Sequence, residues 1–207
     1  MTSRAERALR IVAADKAFAS IVAHVGPPQS RRAAPGGDRF ADVVRSITSQ
    51  LLAVRAAETI HARVIEVCGG VVSPESLVHC GEDQLKAAGL NRSKAHAMVS
   101  LAQAVSSGDV DFSAHGRRSN AEITAELVRI KGIGPWTVQM YLMHTLGRHD
   151  VWPVGDYGVR VGWSMVHQLD ETITEKDLRS EGERFTGDES SVAWYCWQEV
   201  DRSRSAK

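Results

Sequence analysis

The amino-acid sequence predicts an all-α protein, and three observations predict it. Apolar residues recur at helical spacing in one stretch after another. No stretch alternates apolar and polar residues as a half-buried strand does. Glycine, proline and small polar residues fall between the periodic stretches, where helices start and stop. With 207 residues, 43% of them hydrophobic, the chain makes one large domain or two small intertwined lobes.

Residues 4 to 24 read as an amphipathic helix, with Leu9, Ile11, Val12, Phe18, Ile21 and Val22 toward the core. Residues 26 to 38, GPPQSRRAAPGGD, read as a basic loop; Arg31 and Arg32 are either solvated or touch phosphate. Phe40 to Gln50 and Ala53 to Cys68 follow as two helices, the second ended by Gly69-Gly70. Ser73-Pro74-Glu75 starts the next, with proline where a missing N–H costs nothing. Gly89-Leu90-Asn91-Arg92-Ser93-Lys94 opens a long helix to about Ser107; Arg92 and Lys94 put two cations at that turn, each with a partner or only solvated. Residues 109 to 118 read as loop, and Ser119 or Asn120 caps a helix leading to the central stretch. Late in the chain, Thr174 caps a helix start and Ser190 to Asp201 forms the last helix.

The central stretch is Leu127 to Arg160. Lys131-Gly132-Ile133-Gly134-Pro135 reads as a tight hairpin between helices, its glycines allowing left-handed angles and close approach. Such a corner aims backbone N–H groups outward at a helix N-terminus and suits an anion, with Lys131 beside it; it also suits an ordinary helix–turn–helix corner. Thr137 to Gly147 reads as an apolar helix ending at glycine. Pro153 and Gly155 then interrupt the chain, and Asp156 stands where a helix restarts, as an N-cap or as a catalytic carboxylate.

Composition excludes several classes. No apolar run is long enough to span a membrane. The N-terminus mixes charges with apolar residues and is no signal peptide. Cys68, Cys80 and Cys196 form no metal pattern and suit a reducing cytoplasm, and His79, His96 and His115 have no partner at metal spacing. A net charge of +0 excludes binding nucleic acid by bulk charge, though not through a local patch.

From about Phe40 to Trp197 the chain resembles the helix–hairpin–helix superfamily of DNA glycosylases, in the branch of the 3-methyladenine DNA glycosylases. Ile130-Lys-Gly-Ile-Gly-Pro-Trp136-Thr and Asp150-Val-Trp-Pro-Val-Gly-Asp156 carry the resemblance. It implies a two-lobed all-α fold with a central cleft, the lobes being roughly 38–150 and 1–37 plus 151–207, with the hairpin and Asp156 lining the cleft. It implies a monomeric enzyme that flips an alkylated, cationic base such as 3-methyladenine out of duplex DNA. Asp156 then stabilises the developing sugar cation and directs water.

The place where strand-cutting relatives carry a nucleophilic lysine holds Trp136, so the resemblance implies no lyase step. Trp136, Met140 and Asp188 are the implied base-pocket residues, the indole face attracting a cationic base. Gln50, Leu51, Lys131, Gly132, Ile133, Gly134 and Thr137 are the implied DNA contacts. Leu51 would fill the hole left by the flipped nucleotide; the plain alternative is that Leu51 and Leu52 are core. In the family the hairpin often holds sodium or potassium on backbone carbonyls, here those of Val128, Ile130 and Ile133. No organic cofactor is implied, and the iron–sulfur cysteines of some relatives are absent.

Two departures stand out: Met140 replaces a frequent aromatic residue, and Gly187-Asp188-Glu189-Ser190 replaces a proline-aromatic-arginine-serine stretch. The expected location is wherever the DNA lies, cytoplasm with nucleoid, or nucleus. The rival readings are a non-catalytic helix–hairpin–helix DNA-binding module and a glycosylase for deaminated or oxidised bases.

Overall fold

The computed structural model describes residues 3–29 and 38–205. Arg31 and Arg32 lie outside the described residues. Among the described residues, eleven α-helices and no strands occur. The helices are α1 (Arg4–Ala14), α2 (Ala19–Val25), α3 (Arg39–Ser49), α4 (Val54–Val67), α5 (Pro74–Ala87), α6 (Arg92–Ser107), α7 (Asn120–Leu127), α8 (Pro135–Met140), α9 (Tyr157–Val166), α10 (Glu175–Glu181) and α11 (Glu189–Ser205). The chain divides into two compact units, Met1–Ala33 with Gly147–Lys207, and Ala34–Leu146.

Local chemistry sets most helix starts. Ser3, Ser73 and Ser119 each close a capping box with the residue three positions on, an arrangement that satisfies two orphan donors at once. Asp38, Asn91, Asp156 and Thr174 cap through single side-chain bonds, each worth about 1 kcal/mol. The segment expected as one helix over residues 4 to 24 is broken at Asp15, where the backbone is extended (φ −152°, ψ 108°). Asp15 caps the following turn through Ala17 N–H at 3.0 Å and pairs with His167 at 2.8 Å. Leu9, on α1 ahead of the break, is 71% exposed, against the expectation.

In the unit of Ala34–Leu146, Val43, Val44 and Ile47 of α3 are fully buried, as are Met98 and Leu101 of α6. A buried polar group joins α7 to the turn before it: His115 contacts Glu126 at 2.8 Å and the Tyr141 hydroxyl at 2.9 Å. Cys68 and Cys80 meet in this unit, and burial pushes the Cys68 thiol up to about 11. The helix expected over Thr137 to Gly147 is α8 followed by a π-helical turn, Tyr141–Thr145.

The other unit is built on an aromatic cluster. Phe18 meets Trp163 and Phe185 edge-on, at 5.6 and 5.8 Å between ring centres, and His167 stacks on Trp163 at 4.2 Å. Helices α9 and α11 run against each other at Gly162. A Cβ there would lie 2.0 Å from the Cys196 carbonyl oxygen, so only glycine permits the approach.

Candidate functional site

The hairpin lies in the Ala34–Leu146 unit. Ile130 N–H donates to the Leu127 carbonyl (3.1 Å) and Ile133 N–H to the Ile130 carbonyl (3.0 Å), folding the chain back between α7 and α8. Gly132 has φ +95°. A Cβ on it would lie 2.7 Å from the Ala97 Cβ and 3.2 Å from the Ser93 carbonyl, so the hairpin rests directly on the first turns of α6. Gly134 has φ −97° and open space where a Cβ would be, so the left-handed angle is required only at Gly132. Pro135 takes the first helical position of α8, as expected.

Several expected DNA contacts acquire other partners. Ile133 is 3% exposed, so its side chain anchors the hairpin and leaves only backbone for a phosphate. Thr137 is buried, and its hydroxyl accepts from Gln50 Nε2 at 2.8 Å. The same amide nitrogen donates to the Gly132 carbonyl at 3.1 Å, tying the end of α3 to the hairpin. Lys131 is exposed beside it, Trp136 is half-buried one residue past Pro135, and Met140 is buried. Of the three carbonyls expected to hold sodium or potassium, that of Ile130 already accepts the turn bond. Among the described residues no group of three or more His, Cys, Asp and Glu side chains gathers to hold a metal ion.

Leu51 is not core. It is fully exposed, and its φ is +55°. A left-handed angle costs an L-residue roughly 1–2 kcal/mol, and such strain is kept where the surroundings enforce it. Gln50 (φ −50°, ψ 125°) precedes Leu51 and Leu52 N–H donates to the Ser49 carbonyl at 3.2 Å, so Leu51 is the third residue of a tight turn that takes the left-handed angle. Lys94 lies against the same turn. Its side chain is buried, and its Nζ donates to the carbonyl oxygens of Thr48 (2.8 Å) and Gln50 (2.6 Å). Of the two readings open for Lys94, the solvated one does not hold, because the end of α3 offers carbonyls with no intrahelical partner.

Asp156 lies in the other unit, at the N-cap of α9 and 9% exposed. Its Oδ1 accepts from Val159 N–H at 2.8 Å and from the Trp197 indole N–H at 2.9 Å. The loop before it is fastened to the start of α11: Ser190 Oγ bridges the N–H and C=O of Val151, and Ser190 N–H donates to His149. Trp152 Nε1 donates to the Leu178 carbonyl at 2.8 Å, with Gly182 making room for the ring. A Cβ at Gly158 would sit 3.1 Å from both Asp156 Oδ1 and Trp197 Cδ1, so that position too is reserved for close packing.

Asp188, an implied base-pocket residue, has its carboxylate taken up by two arginines. It is 4% exposed, and its carboxylate accepts from Arg7 Nη1 (2.5 Å) and from Arg10 Nε and Nη2 (2.8 and 2.7 Å). It ties α1 to the start of α11, and its charge is compensated within the unit. Glu189 accepts from Gly187 N–H at 2.7 Å, and burial pushes its carboxyl above the usual range.

Sequence reasoning missed Trp197, Gly158, Gly162 and the role of Lys94. Gly158 and Gly162 stand four apart, which is one face of a helix, and that spacing was the available signal. Lys94 and Trp197 lie in stretches that share in the resemblance, Gly89 to Lys94 and Ser191 to Trp197, but no local signal names the partner of either.

The family model described as HhH-GPD superfamily base excision DNA repair protein matches residues 44–187. A curated relative, DNA-3-methyladenine glycosylase 1 of Schizosaccharomyces pombe, is 28% identical over 201 residues, covering 96% of this chain and 88% of the relative. Among solved structures, the S. pombe 3-methyladenine DNA glycosylase in complex with abasic DNA superposes with a TM-score of 0.87 at 28% identity, covering 93% of this chain and 95% of that one. The DNA-3-methyladenine glycosidase of Bacillus halodurans gives 0.80 at 28% identity, covering 99% and 94%.

Proposed function

The chain belongs to the HhH-GPD superfamily of base excision DNA repair proteins, and from that membership we propose that it is a monofunctional DNA glycosylase acting on alkylated bases in duplex DNA. The observation that carries the reading is the Asp156 carboxylate, aimed by Val159 N–H and the Trp197 indole at the positive end of α9. Relatives named for 3-methyladenine favour an alkylated base as the substrate.

In this reading the hairpin N–H groups and Lys131 take a phosphate. Leu51 enters the stack where the damaged nucleotide leaves it. Trp136 faces the extruded base, whose positive charge its ring attracts by about 0.5–2 kcal/mol. As the bond from C1′ to the base nitrogen breaks, its electron pair leaves with the base, which its alkylation has made a good leaving group. Asp156 stabilises the cationic sugar and accepts the proton of the water that adds to C1′. An abasic site remains, and with Trp136 where an amine would stand, no Schiff base forms there. A monovalent ion on the hairpin carbonyls would add positive charge near the phosphate. The enzyme acts as a monomer wherever the DNA is kept, and no helix among the described residues is long and apolar enough to cross a membrane.

The test is base release from methylated duplex DNA by the wild type and by Asp156→Asn. Asparagine keeps a good helix cap and loses the charge. Release of 3-methyladenine or 7-methylguanine by the wild type, reduced at least about a hundredfold in the variant and without strand cleavage before alkali, supports the reading. Retained salt-dependent DNA binding with no release from the wild type refutes it in favour of a binding module or another lesion.

A further inference from the structure

We propose that Lys94 is the positioning residue that presents Leu51 for insertion into DNA, an inference that rests on the glycosylase reading above. Three observations converge on it. Lys94 is a buried cation whose ammonium reaches two carbonyls at the end of α3, on either side of Ser49. The next residue, Leu51, combines a left-handed backbone with complete exposure, the opposite of what its side chain and φ prefer in isolation. On either side of Lys94 in the same helix, Ser93 and Ala97 form the seat of Gly132 in the hairpin.

One turn and a half of α6 therefore underlies both elements assigned to DNA contact within this unit, and the Gln50 amide closes the circuit between them through Gly132 and Thr137. A plain C-terminal cap needs no buried charge, since water or a backbone N–H satisfies an exposed carbonyl. Burial pulls the ammonium below the ordinary lysine range, so this cation is held out of water for its two carbonyls. Holding the Gln50 carbonyl fixes the peptide plane that leads into Leu51, and holding the Thr48 carbonyl fixes the last turn of α3 before it, so the turn is ordered before DNA arrives and insertion need not order it.

The experiment uses 2-aminopurine placed opposite a tetrahydrofuran abasic analogue in a duplex, whose fluorescence rises when that base is unstacked. The wild type raises the signal. Leu51→Ala and Lys94→Met each lower the rise, the second by about tenfold at fixed protein, as expected when charge-assisted hydrogen bonds are lost. In the Leu51→Ala background Lys94→Met lowers it no further. The circular dichroism of the folded state stays unchanged in all three variants.

Lys94→Gln, neutral and shorter, carries the same expectation should Lys94→Met fail to fold. Full signal from a folded Lys94 variant, or an equal loss in both backgrounds, overturns the proposal, as does a wild type that gives no rise. Base release from methylated DNA is measured in the same series. A rise that obeys the cycle with no methylated base released leaves Lys94 in its role and overturns the lesion assignment alone.

Discussion

Trp197→Phe separates the aim of the Asp156 carboxylate from its charge. Phenylalanine keeps most of the ring and removes one donor, the indole N–H that lies 2.9 Å from Asp156 Oδ1. A hydrogen bond to a charged group is worth about 1.5–3 kcal/mol net. Asp156 keeps the Val159 N–H at 2.8 Å, which places the loss in the lower half of that range. At about 1.4 kcal/mol per decade of rate, single-turnover base release falls roughly ten- to thirtyfold. The stability cost of about 1.5–2 kcal/mol lowers the unfolding midpoint by roughly 3–8 °C for a chain of this size, leaving the protein folded at assay temperature. The assay is single-turnover release from methylated duplex DNA at saturating enzyme, with thermal unfolding measured in parallel. In an Asp156→Asn background the same change costs little further rate, because there is no carboxylate left to aim. A folded Trp197→Phe protein with wild-type single-turnover rate, or one whose loss persists undiminished beside Asp156→Asn, refutes the positioning argument.

Other outcomes follow from the same geometry. Gly162→Ala places a methyl group 2.0 Å from the Cys196 carbonyl oxygen, so it forces α9 from α11 and costs about 3 kcal/mol or more; a chemical denaturation midpoint equal to that of the wild type would show the approach to be looser than described. Leu51→Gly relieves a left-handed angle on an exposed residue, so stability holds or rises by up to about 1 kcal/mol. Base release by that variant drops on the order of tenfold or more as the wedge is lost, and a drop in both stability and activity contradicts the exposure argument.

Stability also falls as the solution is acidified. Burial holds His115 below its ordinary value of 6.5, outweighing the opposing pull of Glu126. Above pH 6.5 the histidine is neutral in both states; below it the unfolded chain takes up protons first, so stability is lost as pH drops through the folded value. Burial alone would push Glu126 up, but Arg118 and His115 hold it below its ordinary 4.5, so it adds stability above that value and loses it on further acidification. His61 and His149, also lowered by burial, shift the same way. Unfolding midpoints measured against pH therefore decline from about 6.5 downward, and His115→Gln flattens part of that slope; an unchanged slope removes His115 from the account.

The sequence by itself determined whatever depends on near neighbours. The caps at Ser119, Asp156 and Thr174 and Pro135 at the first turn of α8 are decided within three or four residues, and those read true. The order of hairpin, helix and aspartate carried the family for the same reason: it is a local pattern with a local mechanism. Tertiary structure decided what depends on partners far along the chain. Asp15 breaks a helix whose periodicity runs on, because it finds His167 across 152 positions. Asp188 reads as an exposed or pocket acid until Arg7 and Arg10 enclose it from the N-terminus. Trp197 reaches Asp156 across 41 positions, and Lys94 reaches Thr48 across 46. The physical reason is that a buried charge or an orphan carbonyl must be satisfied by whichever group the packing brings near, and no short window of sequence says which group that is.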